Sequence, residues 1–340
     1  MKLRRLIQST LIAMLGCLLA CRYEPVESQP SADGAPPPPD NGAPADLVFE
    51  QDGTNYALTA GNLYEVRGDG SRTLVERLYD PDFRAKNYIR DGGRIFQIDP
   101  SSGERYAVTR QYRDDFEGAD DVEALMGVDR WHRYNTDPKQ AGQPDNFYDQ
   151  GNTVEIAHDI VKSGESSIRF HALPDARSAS KAAIARNVMY FEKGDDFWFS
   201  GWFYVEDTPS IVDAGAFTLV DLESSFLRYD GMRVIFRRND SLAYELKMPK
   251  VQFEQERGRE VPFPTDQWVN VKTHIHLDER DGHVEIWQDG QQVLDRRGQT
   301  LPLADTIYNS LELGITVIAS GSRYDKVLYV DDIRVSDAPL

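Results

Sequence analysis

The stretch Trp268–Gln288, WVNVKTHIHLDERDGHVEIWQ, decides how the rest of the chain is read. Apolar and polar residues alternate with period two on both sides of the turn-rich Glu279-Arg-Asp-Gly282, which is the pattern of a hairpin with one buried face. Whether the turn closes with four residues or with Asp281-Gly282 alone, parity is conserved, so Val269, Val271, Ile275, Leu277, Val284 and Ile286 share one side. The other side then carries Trp268, Asn270, Lys272, His274, His276, Asp278, His283, Glu285 and Trp287. His274 and His276, one residue apart, are open to three readings: metal ligands, a general base with a helper, or the wet side of a strand.

Outward from this hairpin the same period recurs. SSIRFHAL, DFWFSGWFYV, AFTLVDLE, MRVIFRR, SLELGITVI and KVLYVDDIRV are alternating or short apolar runs separated by turn residues. Helix-period stretches are few, DVEALMG near 121–127 and PLADTIYN near 302–309. The expectation is an all-β, two-sheet antiparallel sandwich of the jelly-roll kind over 113–340. Before it, NLYEVRGDGSRTLVE and GRIFQIDPSSGERYAV read as hairpins and predict a small β subdomain over 47–112 that leans on the sandwich. Leu63-Tyr-Glu-Val and Ile95-Phe-Gln-Ile look like weak copies of one unit, too few for a solenoid or propeller.

At 340 residues the chain has room for one large or two modest domains. Its 56 acidic against 38 basic residues, a formal charge of −18, argue against a nucleic-acid partner, which would require a basic stripe. Met1–Arg5 is a short basic region and Leu11–Ala20 an apolar run too short to span a bilayer, the signature of an export signal over 1–20. Leu18-Leu-Ala-Cys21 resembles the lipobox of bacterial lipoproteins, which implies acylation of Cys21 after cleavage and an envelope protein held to the membrane by N-terminal lipid. With Arg22, not aspartate, next to the acylated cysteine, the resemblance implies the outer membrane. Residues 21–46, rich in Pro, Gly and Ala, cannot bury enough surface to fold and read as a tether. Both cysteines, Cys17 and Cys21, lie at or before the expected cleavage point, so disulfides play no part in the expected fold.

The order DDFEG (114–118), VKSGESSIRFHA (161–172), DFWFSGWFYV (196–205), WVNVKTHIHLDERDGHVEIWQDGQQV (268–293) and LYVDDIRV (328–335) resembles the concanavalin A-like jelly rolls. The nearest likeness is to the polysaccharide lyases typified by heparin lyase I and glucuronan lyase. That resemblance implies β-elimination on uronate chains, which needs a group that neutralises the carboxylate, a base for the C5 proton and an acid for the leaving oxygen. The sequence departs from the family at the strands that supply them. Where the family has Gln-x-His, this chain has Leu219-Val-Asp221-Leu-Glu223. Where it has Tyr-x-Lys-x-Gly-x-Tyr, this chain has Ser310-Leu-Glu312-Leu-Gly314-Ile-Thr316, with Tyr308 two residues before it.

Catalytic candidates are therefore Asp221 and Glu223, an acid/base pair for a neutral glycan in the manner of glycosidases, and His274 and His276. A zinc site drawn from His274, His276 and Glu285 is an alternative. Trp268 and Trp287 on the polar hairpin face are candidates for stacking on sugar rings, and Lys181, Arg186, Arg233, Arg237 and Arg238 for a local basic groove. Glu117 with Asp331 and Asp332 resembles the structural calcium site of carbohydrate-binding jelly rolls. The leading expectation is a polysaccharide binder with departed catalytic motifs. A working lyase or glycoside hydrolase and a non-enzymatic surface scaffold are the alternatives.

Overall fold

The computed structural model describes residues 47–340 except 52, 79–81, 100–101, 128–129, 136–150, 176–178, 214–216 and 226–229. The expected signal peptide, the tether and Cys21 lie outside the described residues. The described residues begin with β1 (Leu47–Gln51), β2 (Thr54–Thr59), β3 (Asn62–Val66) and β4 (Arg72–Arg77), an antiparallel meander. A short helix α1 (Phe83–Asn87) leads to a second meander of β5 (Tyr88–Asp91), β6 (Arg94–Ile98) and β7 (Arg105–Ala107). The region before the sandwich is thus two small sheets, and both expected hairpins, β3–β4 and β6–β7, form.

The remaining strands are β8 (Tyr112–Asp114), β9 (Arg133–Asn135), β10 (Thr153–Ala157), β11 (Ser167–Ala172), β12 (Ser180–Arg186), β13 (Asp196–Val205), β14 (Phe217–Ser224) and β15 (Asp230–Arg237). They continue through β16 (Ser241–Leu246), β17 (Val251–Phe253), β18 (Trp268–His276), β19 (Gly282–Gln288), β20 (Gln291–Gly298), β21 (Ser310–Ile318) and β22 (Lys326–Ser336). Two sheets result. One, of eight strands, has the order β10-β11-β22-β13-β18-β19-β20 with β8 also on β22; the other, of seven, runs β17-β16-β15-β14-β21-β12-β9. The fold is the expected all-β jelly-roll sandwich, its opening DDFEG strand paired to its closing one through Asp114 and Ile333.

Between the sheets lies one apolar core. Phe197, Phe199, Phe203, Val271, Ile275 and Ile286 from the eight-stranded sheet meet Phe217, Leu222, Phe236, Leu242, Leu313 and Ile315 from the other. Each buried aromatic or aliphatic side chain of this kind contributes about 1.5–3 kcal/mol relative to exposure. The layers approach so closely at Gly314, φ +117°, that a Cβ there would sit 2.6 Å from the Phe170 ring and 2.9 Å from the Ala182 carbonyl oxygen. Only glycine suits that position, because both the dihedral and the space refuse a side chain.

The two helix-period stretches behave differently from their pattern. In 121–127 only the 3-10 turn Glu123–Leu125 forms, and 302–309 contains no helix. Eight residues are too few to nucleate a helix alone. Tertiary packing instead pulls Leu303 toward Leu58, Leu78 and Met248, Ile307 toward Tyr88 and Tyr190, and Tyr308 into the sandwich core. These contacts also seat both N-terminal sheets against one end of the seven-stranded sheet, where the Asn309 amide donates to the Tyr88 hydroxyl at 2.7 Å.

Candidate functional site

The seven-stranded sheet is buried at every position of β12, β14, β16 and β21, on both faces. Strands covered on both sides ordinarily read as continuous apolar runs. Here the face turned away from the core carries charge. Register places Asp221 directly opposite Glu312 on β21 and opposite Arg233 on β15, and Arg233 opposite Glu245 on β16. On β12 the row continues at Ala185, and Lys181, four residues before it, reaches Glu312 with its side chain, while Lys247, just past the end of β16, enters from the other side.

Each cation on this face meets a carboxylate. Lys247 Nζ lies 2.8 Å from Asp221 Oδ2 and 2.6 Å from Glu223 Oε1. Lys181 Nζ is 3.4 Å from Glu312 Oε2. Arg233 Nε donates to Glu245 Oε1 at 2.7 Å and Arg237 Nη2 to Glu245 Oε2 at 2.6 Å, with the Gln252 amide on the same carboxylate. Thr316 Oγ1 donates to Asp221 Oδ1 at 2.8 Å. Asp221, Glu223, Glu245 and Glu312 thus face Lys181, Lys247, Arg233 and Arg237, in a layer where an unpaired charge would be prohibitively costly.

The titration of this layer is uneven. Burial, and next the charge of Glu312, push the Glu223 carboxyl up to about 7 against the opposing pull of Lys247 and Lys181. Burial also acts to raise Glu245, but the Arg233 and Arg237 guanidiniums outweigh it and hold that carboxyl below the usual range. One carboxyl of the layer is therefore poised near neutrality while another stays firmly ionised.

Several sequence candidates fall elsewhere. Arg186 shares its strand side with Ala182 and Ile184, which face the core; its guanidinium lies over the Tyr112 ring, 4.1 Å from the centroid, and reaches the Arg130 carbonyl. It takes no part in the Lys181 and Arg237 layer, because strand parity turns it the other way. Tyr308 does not restore a family tyrosine: it is buried in the core and donates to the Thr300 carbonyl at 2.9 Å. The side chain of Arg238 lies outside the described residues. Lys247, which holds two of the carboxylates together, was missed by sequence reasoning.

Trp268 and Trp287 lie on the opposite side of the molecule, on the outward face of the eight-stranded sheet, and do not share a site with Lys181 and Arg237. Nor are the two tryptophans neighbours. Trp268 packs edge-on to Tyr204 at 5.7 Å. Trp287 stands opposite Lys272, four residues or about 13 Å further along β18. The partner of Trp287 is Trp198, with ring centroids 6.1 Å apart and planes 16° from parallel, and Lys272 Nζ sits 4.7 Å from the Trp287 centroid.

The histidines are on this half-exposed face as well. His274 stacks on Trp198 at 4.1 Å, with Nδ1 2.8 Å from Glu285 Oε2 and Nε2 2.9 Å from Asp196 Oδ1. His276 Nδ1 is 3.0 Å from the same Asp196 oxygen. His276 therefore does not join His274 and Glu285; His283 does, the three offering ligand atoms within 4.8 Å of one another. Asp221, Glu223 and Glu312 form the other such set among the described residues, already occupied by Lys247 and Lys181.

Glu117, Asp331 and Asp332 surround one turn without converging on a point. Glu117 Oε1 accepts the backbone N–H groups of Glu165 and Ser166, both at 2.9 Å, and Asp331 Oδ2 those of Lys162 and Ser163 at 3.0 and 3.1 Å. The Ser163 hydroxyl donates to Asp332 Oδ2 at 2.9 Å. Gly164, φ +68°, lets the turn close on Glu117, since a Cβ there would lie 2.2 Å from the carboxylate. Through these N–H and O–H donors the three carboxylates act as a clamp on the turn.

The two packed antiparallel sheets place the chain in the jelly-roll class of all-β proteins. Residues 127–334 match the family model described as polysaccharide lyase, and the chain belongs to that family. Similar solved structures include a cellulose-induced protein (14% identity, TM-score 0.49, covering 67% of this chain and 98% of that one). Others are an endo-β-1,4-glucuronan lyase from the fungus Trichoderma reesei (12%, 0.49, 67% and 95%) and an alginate lyase (10%, 0.43, 68% and 98%). No curated protein matches the chain.

Proposed function

We propose that the protein is a polysaccharide-binding member of its family, exported and lipid-anchored through Cys21, that keeps the lyase fold without the elimination chemistry. The observation that carries this is the self-neutralised layer of the seven-stranded sheet: Lys181, Lys247, Arg233 and Arg237 all sit against carboxylates, and Asp221, Glu223 and Glu312 are buried. A uronate entering there would meet carboxylates and would have to displace one from its lysine, whereas elimination needs a cation or amide released for the substrate. Glycan contact is assigned to the half-exposed face with Trp198, Trp287 and Lys272, whose rings suit the C–H faces of sugars and whose ammonium suits hydroxyl or carboxylate oxygens.

The test is to incubate the protein with a panel of uronic-acid and neutral polysaccharides. Retardation in a glycan-containing gel without products supports the proposal. Absorbance from unsaturated chain ends would establish a lyase, and new reducing ends alone a hydrolase. One observation favours the second reading, catalysis: Glu223 is pushed up to about 7 beside Asp221, the environment of a general acid. If products form, Glu223→Gln should abolish them. The anchor is tested separately: labelled palmitate should enter the protein and be lost in Cys21→Ala.

A further inference from the structure

The geometry points to a zinc-class divalent metal site on the outer face of the eight-stranded sheet, with His274 Nδ1, His283 Nδ1 and Glu285 Oε2 as ligands. The convergence of these three ligand atoms within 4.8 Å, each side chain held from behind by a further polar group, carries the inference. His283 Nε2 is 2.8 Å from Asp295 Oδ1. A carboxylate only accepts, so Nε2 donates to Asp295 and Nδ1 is the ring atom left for the cluster. His283 Nδ1 lies 3.9 Å from Glu285 Oε2, beyond hydrogen-bond reach. The same Glu285 oxygen is 2.8 Å from His274 Nδ1, while His274 Nε2 is fixed on Asp196 at 2.9 Å.

A divalent ion bound here would take one lone pair from each of the three ligand atoms, at about 2.0–2.2 Å. The surroundings are those of a metal site. Asp196 and Asp295 each take the far N–H of one histidine, fixing tautomer and ring orientation. The Gln292 amide holds Glu285 Oε1 at 2.8 Å, leaving Oε2 for the centre. Two imidazoles and one carboxylate suit Zn2+, with the fourth position taken by water.

The test uses the full chain without an added histidine tag, stripped with chelator and assayed without glycan, so its result is independent of the binding function proposed above. Titration with Zn2+ against a chromophoric competitor should give one ion per chain and a raised melting temperature. Co2+ should give the visible absorption bands of a four-coordinate site. His283→Ala and Glu285→Gln should each weaken Zn2+ at least 100-fold. Asp196→Asn and Asp295→Asn should weaken it about 10–100-fold. His171→Gln, on a distant strand, should leave it unchanged. Absence of stoichiometric Zn2+ uptake by the unmodified protein overturns the site. So does uptake that survives His283→Ala but is lost in His276→Ala.

Discussion

Along β13, β18 and β19 buried and half-exposed residues alternate without a break, whereas β12, β14, β16 and β21 are buried throughout. Both sheets put polar side chains on the face away from the core, but on the seven-stranded sheet the strands β12, β14, β16 and β21 are withdrawn from water, and exposure returns only toward Arg233, Arg237 and Gln252. On the eight-stranded sheet His274, Glu285 and Lys272 are partly solvated, and their pairings are adjustable. On the seven-stranded sheet Asp221, Glu223, Glu312 and Lys181 are withdrawn from solvent, so charge balance there is a condition of folding. The same residue types therefore carry different weight on the two sides: adjustable pairings on one, an obligatory network on the other.

The largest expected effect follows from that asymmetry. Lys247→Met leaves Asp221 and Glu223 without their shared cation in a buried layer and should cost about 3–5 kcal/mol of stability by urea denaturation. The matched change on the other sheet is Arg169→Met, which removes the partly exposed pair to Glu155 at 2.9 Å and should cost about 1 kcal/mol or less. Equal losses from the two variants would erase the contrast.

The second prediction concerns pH. Glu223 rises from 4.5 to about 7 on folding, so the folded protein holds this proton more tightly than the unfolded chain. The stability so contributed is complete below the unfolded value and is lost as pH rises through the folded one. Glu223→Gln keeps the site neutral at all pH. Relative to this variant, the unmodified protein should lose melting temperature as pH rises between about 4.5 and about 7. A difference that stays flat across this window, or grows, would show that Glu223 remains ionised.

The sandwich was legible because Trp268–Gln288 alternates so regularly that turn length cannot change its faces, and Leu277, Val284 and Ile286 are buried as that parity requires. Asp221 and Glu223 stood out as acids inside an apolar strand, but that Asp221 stands opposite Glu312, and Glu223 opposite Ser310, is a matter of the β14–β21 register, which the sequence did not supply. Lys247 was not legible: it lies past the end of its strand beside Met248-Pro249, and only tertiary packing brings it to β14. Trp198 was hidden because DFWFSGWFYV is aromatic on both parities, though the split between Phe197, Phe199 and Phe203 on one side and Trp198 and Trp202 on the other was available. Arg186 was misplaced for want of the same parity count from Ile184. The pairing of His283 with His274 depends on the β18–β19 register, in which His276 stands opposite His283 and His274 opposite Glu285. That register puts the six residues 277–282 in the connection, longer than either closure the sequence offered, though of the same parity.

Two smaller effects would sharpen what the solvated face does. Trp287→Ala should weaken glycan retention roughly tenfold, about 1.4 kcal/mol, with little change in stability. Trp268→Ala, packed on Tyr204 and Tyr329, should act mainly through packing at its own end of the face. The smallest is Lys272→Met. Its ammonium lies 4.7 Å from the Trp287 centroid and 5.8 Å from that of Trp198, so removing the charge and keeping the chain length forfeits about 0.5–1 kcal/mol of cation–π attraction. If Lys272 only braces the two rings, affinity for neutral and uronic-acid glycans should fall by the same factor of about two to five, with no salt dependence. If its charge also meets the ligand, the loss should be confined to acidic glycans and should vanish at high salt, because an exposed charge contact is screened there while ring stacking is not.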